Sequence, residues 1–371
     1  MNQTEYRQAA DSVIYLAACV VNGILPDKQK VSEFDLQKLY KVANDHFMTA
    51  IVCHALESIG ITDHQFIQAK FKSIRKISAM EIDKQQVFEK LEQAKIWYMP
   101  LKGSVIKDLY PSIGLRQMSD FDILFDERYP EKVKEIMEGL GFTCEKFAQS
   151  NHDIYYKQPV SNFEMHKTLF SELKTAMFDY YRDVHSRLIK DEQNDYGYHF
   201  SDDDMYVYIT AHEYKHYTSQ GSGIRSLMDC YVYLKSKNDK LDWSYIEKQT
   251  KLLGFDDYER SRRELALKVF SPDNNSPLTD AEKKMLSEHT MLGVYGTFEN
   301  GIKNQLNGGS KASFWLRSIF IPYHVMTKSV PFTEKSILLY PLGIFWRCFR
   351  VLFTRRKTLY YTIKAVNKYG K

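Results

Sequence analysis

The apolar residues of this 371-residue chain change period twice, and that change limits the fold more than any other feature. Up to about residue 94 they recur every three or four positions. Ala17, Val20, Val21 and Ile24 share one helical face, Leu36, Leu39, Tyr40 and Ala43 another, and Phe71, Ile74, Ile77 and Met80 a third. From about residue 95 the pattern becomes short apolar runs separated by turn residues, partly alternating with period 2. From Ser201 the helical spacing returns. One chain must therefore supply a compact sheet unit between helical regions, an α+β arrangement. A single core rarely exceeds about 250–300 residues, so the length also favours more than one domain.

The runs place the strands. Ile96-Trp97-Tyr98-Met99-Pro100-Leu101 is followed by Gly103, and Phe121-Asp122-Ile123-Leu124-Phe125 begins with strict alternation. A helix over Tyr129–Leu140 stops at Gly141, a residue suited to a left-handed cap. Residues 142–147, 153–157 and 162–166 supply three more strands. Asp202, Asp203 and Asp204 suit the start of a helix that runs to Ser219, where Gly221 and Gly223 break it before a second begins near Arg225. Residues 270–279, with Pro272 and Pro277, predict a loop, and the Gly-, Asn- and Ser-rich stretch 301–312 predicts a linker. The expected regions are 1–94 (helical), 95–198 (sheet), 199–310 (helical, lining a cleft) and 311–371 (basic and aromatic).

With 44% hydrophobic and 26% charged residues, the composition excludes a disordered chain, a collagen-like fibre and a disulfide scaffold. Cys19, Cys53, Cys144, Cys230 and Cys348 are odd in number and form no C-x-x-C pair, which suits free thiols in a reducing cytosol. The apolar stretch 12–25 follows Glu5 and Asp11 and lacks a basic lead, so it predicts a first helix rather than a signal peptide. The uncharged run 336–346 is shorter than the roughly 18–20 residues that span a bilayer. The expectation is a cytoplasmic protein, with the inner face of the membrane as one surface its tail could touch.

The chemistry-bearing residues are Leu101-Lys102-Gly103-Ser104, the stretch from Arg116 to Leu124, and Phe163-Glu164-Met165-His166. On a strand, residues i and i+2 share a face, so Asp120 and Asp122 project together while Phe121 and Ile123 enter the core. Two carboxylates about 4 Å apart repel by about 4 kcal/mol at an effective dielectric of 20, a cost that a divalent cation offsets. Glu164 on a neighbouring strand would complete an all-oxygen site suited to Mg²⁺. Two such ions can polarise a phosphoryl group, activate a hydroxyl and neutralise a leaving oxygen. Gly103 and Ser104 would open a helix that receives phosphate oxygens, with Lys102 and Arg116 taking the remaining charge. Arg116 has a second reading, as a partner that fixes the aspartates, and His166 is either a functional residue or a hydrogen-bonded structural one.

The order strand, Lys-Gly-Ser, Ser-Asp-Phe-Asp-Ile-Leu, then a Glu on a later strand resembles the nucleotidyltransferase superfamily with the polymerase-beta-like fold. More narrowly, Leu101-Lys102-Gly103, Tyr110-Pro111, Arg116-x-x-Ser119-Asp120-x-Asp122 and Glu164-x-His166 resemble a poorly characterised bacterial family related to the aminoglycoside nucleotidyltransferases. His212-x-x-x-His216, Gly221-x-Gly223-x-Arg225 and Asp229 recur in it too, and the resemblance covers roughly residues 90–235. It implies a small mixed-sheet nucleotidyltransferase domain with Asp120, Asp122 and Glu164 as catalytic metal ligands. Glu164 would also help deprotonate the acceptor. Lys102, Gly103, Ser104, Arg116 and Ser119 would bind the NTP. Fifteen residues separate Ser104 from Asp120, more than is usual in the superfamily.

His212-Glu213-Tyr214-Lys215-His216 formally matches the H-E-x-x-H zinc-protease signature, but Ser219 and Ser222 stand where the extended pattern needs Gly and His. The tail is unusual in charge. Residues 311–371 carry twelve Lys/Arg and one acid, a net +11, whereas the first 310 residues sum to −7. Phe345, Trp346, Phe349 and Phe353 sit there at helical spacing beside Arg347, Arg350 and Arg355-Arg356-Lys357. Segment 336–371 therefore suits an anionic membrane surface, nucleic acid less well, or packing against the chain's own acidic body. The expected activity is Mg²⁺-dependent transfer of NMP from an NTP to a hydroxyl-type acceptor with release of pyrophosphate. A D-x-D glycosyltransferase, a non-catalytic nucleotide or partner binder and a zinc protease are the alternatives.

Overall fold

A computed structural model describes residues 1–371 except 173–174, 220, 273–275, 292–297, 307–308, 355 and 371. Two compact units make up the chain: residues 1–214 with 223–294, and residues 215–222 with 295–371. The first unit begins with five helices, α1 (Gln3–Asn22), α2 (Lys28–Ser32), α3 (Leu36–Asp45), α4 (Thr49–Ser58) and α5 (His64–Gln93). Side-chain caps start most of them: Asn2, Asp27, Asp35 and Asp63 each accept a backbone N–H of the first turn. Gly23 ends α1 with φ +67°, so Ile24, expected on the face of that helix, lies beyond it and is exposed. Phe71 is likewise exposed, because α5 turns Ser73, Ile77 and Met80 inward.

The sheet follows: β1 (Tyr98–Pro100), α6 (Gly103–Ile106), β2 (Phe121–Phe125), α7 (Pro130–Gly139), β3 (Thr143–Lys146), β4 (His152–Lys157) and β5 (Ser161–His166). These are the five strands expected from the sequence, in the spatial order β1-β2-β5-β4-β3. Pairing is antiparallel except between β2 and β5, which run parallel, so the sheet is mixed. That parallel pair requires a crossover, which α7, β3 and β4 supply.

One sheet face is apolar. Phe121, Ile123, Phe125, Phe163 and Met165 are fully buried against Ile77, Met80, Val87 and Leu91 of α5 and Val133 and Met137 of α7. Phe163 stacks on Phe121 (5.5 Å between centroids) and meets Phe142 edge-on at 5.1 Å. Residues of opposite parity on β2 and β5 point to the other face. After α8 (Thr175–Tyr180), a small hairpin of β6 (Ile189–Lys190) and β7 (Tyr198–His199) that the sequence did not announce joins β1 through Tyr98 N–H to the Tyr196 carbonyl, 2.9 Å.

Helices return with α9 (Asp202–Ser219), α10 (Ile224–Lys237), α11 (Trp243–Leu252), α12 (Asp256–Phe270) and α13 (Asp280–Met291). Of the loop expected over 270–279, residue 270 still belongs to α12, 271–272 and 276–279 are irregular, and 273–275 lie outside the described residues. Buried His46, at the end of α3, ties the helices together. Its Nδ1 accepts the Ile224 N–H at 3.1 Å and its Nε2 lies 3.0 Å from the Thr290 carbonyl.

In the second unit α14 (Phe298–Leu306), α15 (Lys311–Ile319), α16 (Tyr323–Ser329), α17 (Tyr340–Thr354) and α18 (Arg356–Tyr369) follow one another. Residues 301–306, expected within a linker, are helical. Ile302 and Leu306 pack with Phe314, Ala365 and Val366, and that burial outweighs a Gly- and Asn-rich composition. Residues 307–308 of that expected linker lie outside the described residues.

Phe163→Ala should destabilise the chain by about 3–5 kcal/mol, read from urea unfolding, because it empties the contact between the strands and α5.

Candidate active site

The register of β2 and β5 builds the polar face. Asp122 lies opposite Glu164 and Leu124 opposite His166, and on the other side of β5 His166 lies opposite His152 of β4. Asp120, one step before β2, has the parity of Asp122. Three carboxylates and two imidazoles are thus gathered on the face that α5 and α7 leave uncovered.

Asp122 is buried and heavily engaged. Lys102 Nζ donates to its Oδ1 at 2.7 Å, and His166 Nε2 lies 2.8 Å from the same oxygen. Burial alone would raise its pKa, but the Lys102 ammonium and His166 hold the carboxyl well below the usual range. Asp120, half-buried, shows the opposite shift. Burial and then the charges of Asp122 and Glu164 push it up to about 6, against the pull of Lys102 and a hydrogen bond from Ser119. Burial also opposes the ionisation of Glu164, yet His166, whose Nε2 lies 3.6 Å from its Oε2, leaves its pKa lowered. His152 is pushed down to about 4 by burial and by His166, so it is neutral near pH 7.

Lys102 reaches Asp122 from a backbone at φ +47°, ψ −117°, a conformation that costs a non-glycine residue about 1–3 kcal/mol. Gly103 follows, and a Cβ there would lie 2.5 Å from Arg116 Nη1. The expectation that Gly103 and Ser104 offer a helix start to phosphate meets a different arrangement. The Ser104 N–H donates to the Leu101 carbonyl at 3.0 Å, and its buried hydroxyl donates to the Asp122 carbonyl at 3.2 Å. Ser104 thus fixes the D-x-D backbone.

Arg116 is placed differently from a phosphate ligand. Its guanidinium is buried in a two-pronged pair with Asp229 of α10, Nε–Oδ1 and Nη2–Oδ2 both 2.8 Å, and Tyr110 donates its hydroxyl to the same Oδ1 at 2.7 Å. It fixes the long loop between Ser104 and Asp120 rather than the aspartates themselves. The neighbouring residues do the same. Gln117 Oε1 accepts from Thr49 Oγ1 (2.9 Å) and the Ala50 N–H (3.1 Å) of α4, and Arg225 Nη1 donates to the Gln117 carbonyl at 2.9 Å. Ser73 and Lys76 of α5 donate to the Gly114 and Ser119 carbonyls at 2.8 and 2.6 Å.

Two residues at the site carried no signal in the sequence. Lys76 adds a cation that acts on Asp120, its own pKa lowered by burial. His152 joins Glu164 and His166 in a group whose ligand-capable atoms all lie within 4.8 Å of one another, the one such gathering among the described residues. The Nδ1 atoms of His152 and His166 are buried and have no hydrogen-bond partner among the described residues. Two donor sets therefore share Glu164: all-oxygen Asp120/Asp122/Glu164, suited to Mg²⁺, and His152/Glu164/His166, with the nitrogen ligands that transition metals prefer. His212 and His216 belong to neither, and Tyr258 donates its hydroxyl to Glu213 at 3.3 Å within the helical layer.

Asp120 ionises above the ordinary carboxylate range, so the fold favours its protonated form, and that contribution to stability is lost as pH rises through about 6. In chelator, Asp120→Asn should melt above the wild type at about pH 7.5, and the two should converge near about pH 4. Asp229→Ala, which leaves the Arg116 charge buried and unpaired, should cost about 3–5 kcal/mol in urea unfolding.

No curated protein and no solved structure matches the chain. Residues 32–271, well over half of its length, match a family model described as "Uncharacterised nucleotidyltransferase". With that match over the sheet and the helices on both sides of it in sequence, the chain belongs to this nucleotidyltransferase family.

Proposed function

We propose that this protein transfers a nucleoside monophosphate from an NTP to a hydroxyl-type acceptor and releases pyrophosphate, using Mg²⁺ held by Asp120, Asp122 and Glu164. One observation carries the reading: the parallel register that sets Asp122 opposite Glu164 on the face opened by Asp120. The all-oxygen donor set fits the ion, and a divalent cation would offset the repulsion from Asp122 and Glu164 that adds to burial in raising the Asp120 pKa. Once bound, Mg²⁺ would polarise the α-phosphate and offset charge on the departing pyrophosphate.

The chain's own groups do the rest. Lys102 is the cation beside the D-x-D pair and would meet triphosphate oxygens there. Lys76, through the Ser119 carbonyl, and Ser104, through the Asp122 carbonyl, hold the two aspartates at fixed heights. His166 orients Asp122. Glu164, beside neutral His152, takes the proton of the acceptor hydroxyl as its oxygen bonds to the α-phosphorus. The bond from that phosphorus to the bridging oxygen breaks, and pyrophosphate carries away the electron pair.

The test is release of pyrophosphate from labelled NTPs in the presence of a cell extract, followed by identification of the labelled product. Chelation should abolish turnover and Mg²⁺ should restore it. Asp120→Ala should lose more than about 100-fold in rate while keeping its circular dichroism, a loss in keeping with removal of a charge-stabilising group. Wild-type turnover in that variant, or NTP binding with no transfer in any extract, would overturn the reading. Lys102→Met should also fall by about 10–100-fold, with the larger share in KM for the NTP.

A further inference from the structure

The nucleotidyl-transfer reading uses none of α14 to α18 in the second unit, and one of these helices is set apart by its exposed apolar side. Segment Ile337–Thr354, which contains α17, has a mean hydropathy of 1.4, yet only 6% of it is buried. Its two sides differ. Inward, Gly343 is buried so closely that a Cβ would meet Thr333 Cγ2 at 2.6 Å and Met326 Sδ at 3.0 Å. Tyr340 donates its hydroxyl to the Ile321 carbonyl at 2.7 Å, and Arg347 Nη1 donates to the Ile319 carbonyl at 3.4 Å. Outward, Leu342, Phe345, Trp346, Phe349, Leu352 and Phe353 are each 43–69% exposed. Their spacing of three and four makes one continuous stripe along the helix.

We infer that this stripe docks in the plane of an anionic lipid bilayer, with α17 lying at the headgroup boundary. Charge supports that occupant. Residues 311–371 carry twelve Lys/Arg and one acid, and exposed Arg350, Arg356 and Lys357 lie beside the stripe and at its end. No basic residue lies within the stripe, so a nucleic acid would find apolar side chains but no cations where its phosphates must rest. Trp346 and the phenylalanines are the side chains that favour a membrane interface. The contacts of Gly343, Tyr340 and Arg347 keep the opposite side of the helix on its own unit. A helix lying in the interface retains them, and one crossing the bilayer would have to break them.

The full chain should be sedimented with vesicles of phosphatidylglycerol and phosphatidylcholine, with pure phosphatidylcholine vesicles, and without lipid. Binding is expected to the anionic vesicles, to weaken about tenfold with pure phosphatidylcholine, and to weaken with added salt. Phe345→Asp with Phe349→Asp changes only exposed side chains; it should cut binding about tenfold and leave circular dichroism and NTP turnover unchanged. Trp fluorescence should shift to the blue on addition of anionic vesicles, and Trp346→Phe should remove that shift. Four results would overturn the inference: equal binding by the double variant, equal binding to neutral lipid, retention of single-stranded RNA but not vesicles, or self-association through the stripe without lipid binding.

Discussion

The parallel pairing of β2 with β5 is the constraint on which the rest depends. Side chains alternate along a strand, so a slip of one residue in that register would send Glu164 into the core and Phe163 or Met165 to the polar face. The apolar face prevents the slip. Phe121, Ile123, Phe163 and Met165 fill the space over α5 and α7, and moving them out would expose several large side chains at about 1.5–3 kcal/mol each. The position of the carboxylates is therefore set from the apolar side of the sheet. Hydrophobic packing supplies the force that holds like charges together.

Lys102 shows how the chain tolerates that gathering. Its ammonium lies 2.7 Å from Asp122, and the backbone accepts an unfavourable φ to put it there. Asp122 stays ionised as a result, whereas Asp120, raised by burial and then by the charges of Asp122 and Glu164, holds its proton nearly to neutrality. If a divalent ion binds here as proposed, Asp122 would meet it already ionised and Asp120 would give up its proton on binding.

Much of this was legible in the sequence because it is local. Alternation from Phe121 to Phe125 fixed which side chains share a face, and turn residues fixed five strands. What was not legible is long-range. The partner of Arg116 is 113 residues away on α10, so spacing left both a phosphate role and a fixing role open. Lys76 acts from a helix 43 residues before Ser119. His152 becomes part of the site only through the antiparallel register that sets it against His166. Composition misled where packing was decisive: residues 301–306 look like linker until Ile302 and Leu306 find Phe314 and Val366.

The loop that carries the aspartates has a consequence for what counts as one inheritable piece. A fragment limited to residues 95–198 would contain all three carboxylates, both imidazoles and Lys102. It would lack Asp229, Thr49 and the Ala50 N–H, leaving the Arg116 guanidinium without its counter-charge and Gln117 without its anchor. The sheet could be cut out, but its D-x-D loop would lose the groups that hold it. The family match begins before α3 and ends after α12, so it includes both α4 and α10. A graft of the D-x-D loop onto another scaffold would have to carry those two helices along.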